Sequence, residues 1–408
     1  MNKGKGRMTA IICGIILFIN IGGSSIASLV LPNITEHIGK GSAAVSLALS
    51  LGTFSGAVLG MIGGKIIKKL TPRGALIAGS LLVGVNLTLY VMADNLPILY
   101  LGGLLSGGVL ALGAHASIGA IVSGRYGAAA APLLGVIIGA SNFGSTLVSQ
   151  VVGRLIPVLG YQMTTIYTAW GIAAIGIFLN LLFLRNPKSP GGATAAQSAT
   201  QQEDVPGLTI SQCFKTLAFW LFGIAMIFGA MLYSGVFTYA VTFFVSNGLA
   251  QTTAANYFSM LTVFGGIITM CSGALIKKLG ARWLMVFVFG GYILGIILIV
   301  MFPANPVPFL ALAALFFIAF VRPVNALPSL TLPEMFGRKD FASLSSWGMS
   351  FYYVGAGLSS IVIGLISDMT GGNFTMAFAV LGVIAAVSFI LFLFALKMSP
   401  MKHRKETD

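Results

Sequence analysis

Apolar runs of about twenty residues or more, separated by short polar breaks, fill almost the whole chain. They fall at about residues 9–31, 43–64, 75–93, 97–122, 129–152, 164–184, 216–246, 254–276, 283–302, 307–332, 341–367 and 374–397. A helix needs about 20 apolar residues to cross the hydrocarbon of a bilayer. The pattern therefore predicts an all-α membrane protein with twelve transmembrane helices, here called spans 1–12. The first run, about 23 residues, is longer than a signal-peptide core of roughly 7–15, and no small-residue cleavage site follows it. It reads as span 1. Between spans 6 and 7 the stretch 186–212, containing SPGGATAAQSATQQEDVPG, has no apolar periodicity and reads as a flexible polar linker. The expected organisation is an N-terminal six-helix bundle over 1–185, a cytoplasmic linker over 186–215, and a C-terminal six-helix bundle over 216–408 that ends in a short cytoplasmic tail.

Charge gives this pattern a direction. Only 8% of the 408 residues are charged, against about 25% in soluble domains, yet the formal net charge is +14. An even number of spans puts both termini on one side. With that side cytoplasmic, the inner segments hold twenty of the 23 lysines and arginines and the outer loops hold only Lys40 and Arg154. The positive-inside rule accounts for this bias. It removes any need for a nucleic-acid partner and sets the basic side against anionic membrane lipids. The expected location is the cytoplasmic (inner) membrane, multi-pass, with the protein a monomer.

An internal repeat supports the division into halves. The loop after span 2 reads GKIIKKLTPR, Gly64 to Arg73, and the loop after span 8 reads GALIKKLGAR, Gly273 to Arg282. Six of ten positions agree, including Lys68/Lys277, Lys69/Lys278 and Arg73/Arg282. Both loops follow the second span of a half, as a transporter built from parallel repeats requires. Here the sequence resembles the major facilitator superfamily, whose corresponding loops carry Gly-x-x-x-Asp-Arg/Lys-x-Gly-x-Arg/Lys. The resemblance implies two pseudo-symmetric six-helix bundles rocking about a central site. It also marks Gly64, Lys68, Lys69, Arg73, Gly273, Lys277, Lys278 and Arg282 as conformational-switch loops. The sequence departs from the signature at its acidic position, which is lysine in both halves, Lys68 and Lys277. The family's carboxylate latch therefore cannot be transferred. Over the N-terminal half, GSSIASLVLPNI, AAVSLALSLGTFSGAVLGMIGGKII and TPRGALIAGSLLVG are similar to the oxalate/formate antiporter and monocarboxylate porter branch.

Enzyme chemistry finds no footing. The nine carboxylates fall in loops, span ends or tails; His37, His115 and His403 lie far apart; Cys13, Cys213 and Cys271 form no metal-ligand spacing; and no P-loop is present. No cofactor and no metal is expected, and transport is expected to run on ion or solute gradients.

One charge does not fit the loops. Arg322 lies about 14 residues into span 10, where a cation costs about 2.5–3.5 kcal/mol and is retained when it faces a cavity or a partner. Its planar fork suits a carboxylate. Snorkelling to the cytoplasmic interface and pairing with Glu334 are the competing readings. Prolines 323, 328 and 333 predict an irregular span 10, with Asn325 turned to a cavity. His115 on span 4 reads as a hydrogen-bonding cavity residue, a proton carrier or a packed side chain. Asn20 and Ser24 on span 1, Asn142 on span 5, Tyr233 and Tyr239 on span 7, and Trp347, Tyr352 and Tyr353 on span 11 complete the candidate wall. Interhelical hydrogen bonding accounts for many such residues equally well. The branch's oxalate carriers have basic residues on spans 8 and 11, where this chain has Thr269 and Gly348. A single arginine favours one carboxylate. The expected function is a secondary active transporter of a small organic anion, a monocarboxylate or a relative, working by anion exchange or H⁺ symport. The alternative is an efflux carrier for neutral or cationic compounds.

Overall fold

The computed structural model describes residues 3–39, 42–126, 130–184, 207–249, 251–304, 306–370 and 374–401. Most of the linker read at 186–212, and the basic residues Arg185, Lys188, Lys402, Arg404 and Lys405, lie outside the described residues.

Every expected span is a helix. Nine helical stretches among the described residues are long and apolar enough to cross a membrane, and one of them, Leu47–Val91, carries spans 2 and 3 together. Span 1 is Lys3–Ser24, continued after a break by Ile26–Ile38, and span 11 is Phe341–Met369. Spans 5 to 9 are Ala130–Leu159, Tyr161–Phe183, Leu217–Ser246, Gln251–Leu279 and Ala281–Met301, and span 12 is Phe374–Lys397.

The repeat read in the loops is present in the backbone. The numbering offset between Gly64 and Gly273 carries Thr71 onto Gly280. Thr71 has φ 67° and Gly280 φ 83°, so both halves turn from their second to their third span through a left-handed residue. In the second half glycine makes this free of strain. In the first half a β-branched residue occupies it, an outlier for its type, and the Thr71 hydroxyl accepts the Gly74 amide at 3.3 Å. The same offset relates two interruptions. Span 4 is Leu96–Leu112 and His115–Tyr126, broken at Gly113 and Ala114. Span 10 is Pro308–Ile318, a 3₁₀ segment Ala319–Ala326, and Leu327–Phe336. The 3₁₀ segment surrounds Arg322, as the prolines predict: Pro323 lacks an amide hydrogen and cannot sustain the α-helical ladder. These two breaks place His115 and Arg322 at the middle of the molecule.

The halves meet along two symmetry-related seams, span 2 against span 11 and span 5 against span 8. Each seam depends on a loop-motif glycine. A Cβ at Gly64 would lie 2.5 Å from Ser343 Cα, and one at Gly273 would lie 2.1 Å from the Ala131 carbonyl oxygen. Backbones this close tolerate no side chain, which is the usual use of small residues between membrane helices.

Candidate functional site

Span breaks and seams together leave a cavity of about 560 Å³ between the two halves. The half formed by spans 1–6 contributes small polar groups: Ser24, Ser25, Ser141, Asn142, Ser145 and Thr146, with His115. The other half contributes Arg322 and Asn325 and an aromatic wall of Tyr233, Phe237, Phe258, Tyr352 and Tyr353. Arg322 is the one fixed charge among these lining residues, and no carboxylate is among them.

The arginine is held on three sides. Its Cζ lies 3.8 Å from the centroid of the Phe237 ring and 5.1 Å from that of Tyr233, and those two rings stack at 4.9 Å. Cation–π attraction of this kind contributes about 2 kcal/mol once desolvated, which offsets part of the cost of burial. Nη1 donates to the Tyr233 hydroxyl and, across the junction of the halves, to Asn142 Oδ1 at 3.4 Å. Both bonds use Nη1, and Nε has no partner among the described residues. The Nε–Nη2 edge of the guanidinium is therefore uncommitted, and that edge takes a carboxylate bidentately. The stem needs its own space, which Gly265 on span 8 supplies: a Cβ there would lie 2.1 Å from Arg322 Cγ.

Arg322 thus neither snorkels nor pairs with Glu334. It is only 6% exposed, while Glu334 is exposed and lines a separate cleft with Lys277, Arg282, Arg338 and Lys397 at the basic end. Around Arg322 further polar atoms are buried without partners: both His115 ring nitrogens, Asn142 Nδ2 and Asn325 Oδ1. Each such group costs about 1–3 kcal/mol. A protein keeps several together where something other than itself satisfies them.

Among the candidates, Arg322, His115, Ser24, Asn142, Tyr233, Asn325, Tyr352 and Tyr353 line the cavity. Three candidates do not. Asn20 ties helices together, donating to the Gly113 carbonyl at 3.0 Å and accepting from Ser80 at 3.3 Å. It thereby pins the span 4 break. Tyr239 stacks on Phe374 at 5.8 Å. Trp347 packs edge-on against Phe214 at 4.9 Å, toward the basic end. Phe237, Phe258, Gly265, Ser25, Ser141, Ser145 and Thr146 were missed. Only Ser25 carried a sequence signal, as the polar neighbour of Ser24 in the GSSIAS stretch.

Between the cavity and the basic end the halves are sealed. Gly60 and Gly63 pack against Ser350 and Ser346, and Gly135 and Gly139 against Gly273 and Met270. At the rim Lys68 forms an ion pair with Asp340 Oδ1, and Asp340 Oδ2 accepts the Ile210 amide at 3.0 Å. Asp340 precedes span 11, so its charge also meets the positive end of that helix. The carboxylate missing from the loop motif is thus present on the opposite half: the pair joins a lysine of the first half to an aspartate of the second. Among the described residues the symmetry-related pair is not formed: Ala130, Ala131 and Leu134 of the first half line a pocket with Lys277, and none of them is acidic. Elsewhere in these loops Arg73 donates to the Leu181 carbonyl at 2.8 Å, and Lys69 and Lys278 are exposed. The segment leading into span 7 joins the seal through Leu208, whose amide donates to the Phe336 carbonyl at 2.8 Å.

The model of the Major Facilitator Superfamily matches residues 13–333 and 273–408, and the chain belongs to this superfamily of membrane transporters. Solved structures agree on the fold. A single-site variant of the E. coli fucose:proton symporter FucP superposes with a TM-score of 0.71 at 18% identity, covering 95% of this chain and 98% of that one. The proton:xylose symporter XylE, bound to 6-bromo-6-deoxy-D-glucose, gives 0.76 at 12% identity and 97% coverage of both chains. The human organic anion transporter MFSD10 gives 0.71 at 15% identity, covering 95% and 99%. No curated protein sequence matches. At these identities the likeness establishes the twelve-helix fold and nothing of the cargo.

Proposed function

We propose that this protein carries a small organic anion across the cytoplasmic membrane by alternating access, with Arg322 as the anchor for one carboxylate. The observation that carries the reading is a buried guanidinium with an uncommitted Nε–Nη2 edge in a cavity without a carboxylate. An efflux carrier for cations would need the opposite sign at this place. The basic face is taken as cytoplasmic from the distribution of lysine and arginine, so the sealed face is the inner one and the cavity is accessible from outside. Anionic inner-leaflet lipids lie against the basic face. Coupling is by anion exchange or by H⁺ symport, and the branch likeness supports monocarboxylates.

In proteoliposomes loaded with an unlabelled organic acid, the parent protein is expected to catalyse counterflow of the labelled acid. Arg322→Gln should abolish it at unchanged protein yield. Arg322→Lys should lower affinity at least thirtyfold, because a compact ammonium loses the paired contacts and truncating one partner of a buried charge pair costs about 2–5 kcal/mol. Near-parental counterflow by Arg322→Gln would end the organic-anion assignment.

A further inference from the structure

The two walls of the cavity differ in kind, and the difference constrains what lies between them. On one side of Arg322 stand five rings from spans 7, 8 and 11 in mutual contact: Phe237 meets Phe258 edge-on at 5.5 Å, Tyr233 meets Tyr352 at a tilt at 5.9 Å, and Tyr352 meets Tyr353 edge-on at 5.6 Å. On the other side stand serines, a threonine, His115 and Asn142. A one- or two-carbon acid held at the guanidinium would occupy a small part of about 560 Å³, whereas cavities of this size normally bury much larger, drug-sized ligands.

The unmet polar atoms narrow the class further. A neutral imidazole offers one donor and one acceptor, Asn142 Nδ2 is a donor and Asn325 Oδ1 an acceptor. A second carboxylate accepts only and would find no second cation. An ammonium donates only and would find no carboxylate. A hydroxyl does both and matches a mixed set. Resting on the anion reading above, we infer that the substrate is a ring-sized monocarboxylate bearing at least one hydroxyl. Its carboxylate sits on the Nε–Nη2 edge of Arg322, its apolar face on the aromatic wall, and its hydroxyl toward His115 and Asn142.

Binding to the purified full-length protein by titration calorimetry tests this with six probes: 4-hydroxybenzoate, D-glucuronate, benzoate, acetate, oxalate and 4-hydroxybenzamide. The better of the two hydroxylated ring acids should bind at least tenfold more tightly than acetate or oxalate, and 4-hydroxybenzoate about three- to tenfold more tightly than benzoate. The amide should not bind. Phe258→Ala should weaken the ring acids about tenfold, and acetate less than the ring acids. His115→Leu should reduce the preference for 4-hydroxybenzoate over benzoate to about one. Acetate or oxalate binding as tightly as either ring acid, with loss in Arg322→Gln, would overturn the size and hydroxyl assignment and leave the anion reading standing. Equal binding of 4-hydroxybenzoate and its amide would overturn the anion reading itself.

Discussion

Arg322 shows how a charge deep in a membrane is made tolerable at the scale of one residue. Its guanidinium lies against Phe237, its Nη1 is committed to Tyr233 and Asn142, and its stem occupies the place a side chain at position 265 would take. The last contact makes a prediction about a residue with no polar chemistry. Gly265→Ala adds one methyl where a Cβ would lie 2.1 Å from Arg322 Cγ, and overpacking of this kind costs about 1–3 kcal/mol. The flexible stem moves more easily than the helix. The variant should therefore keep most of its thermal stability and lose anion affinity about tenfold or more, measured by calorimetry beside a melting curve. An unchanged affinity would show that the position of the stem does not matter. Arg322 was legible in the sequence because a fixed charge in an apolar run has few explanations. Phe237 and Phe258 were not: among 29 phenylalanines, one that faces a cavity has the same spacing as one that faces lipid. Asn20 was misread because an amide inside a membrane serves a cavity or a helix junction, and composition does not distinguish them.

Whole helices were far more legible than their faces. Twenty apolar residues have one outcome in a bilayer, so all twelve spans were visible, and the prolines marked the 3₁₀ segment of span 10. The break in span 4 was not visible, since Gly113 and Ala114 resemble the many other small residues between helices. Nor was the pairing of Lys68, because Asp340 follows Arg338 and Lys339 and reads as part of an exposed basic loop. It is in fact 9% exposed and joins span 2 in one half to the start of span 11 in the other. An ion pair with one half-exposed member contributes about 1 kcal/mol, or about a fivefold change in the ratio of the two access states. Asp340→Asn and Lys68→Asp should each move that ratio toward opening at the basic face by about this factor. The exchange Lys68→Asp with Asp340→Lys should bring part of it back. Lys277→Asp should move it little, because among the described residues Lys277 forms no ion pair with the opposite half. Spin-label distances across the seal, between positions 69 and 339, read the ratio directly. Equal effects of the Lys68 and Lys277 substitutions would remove the latch from the account.

At the scale of the molecule the two halves pack closely where alternating access needs them to separate. The contacts through Gly60, Gly63, Gly64, Gly135, Gly139 and Gly273 lie between the cavity and the basic face, while Thr146, on the cavity wall beyond them, is exposed. A cysteine at Thr146 should thus react with a membrane-impermeant maleimide added outside intact cells, and one at Lys277 only in inverted vesicles. The native cysteines permit the experiment. Cys13 and Cys213 are buried, and burial, with the nearby Asp340 charge, pushes the Cys213 thiol up to about 12, so it stays protonated and unreactive at neutral pH. Cys271 is exposed and is replaced by serine in the background. Adding Asp340→Asn should slow labelling at position 146 by up to about fivefold, because molecules open at the basic face hide the cavity wall from outside. Substrate at saturating concentration should also protect position 146. Labelling of position 277 from outside intact cells would reverse the orientation drawn from the basic loops. A Thr146→Cys rate indifferent to both the latch and the substrate would mean that the described cavity is not the path.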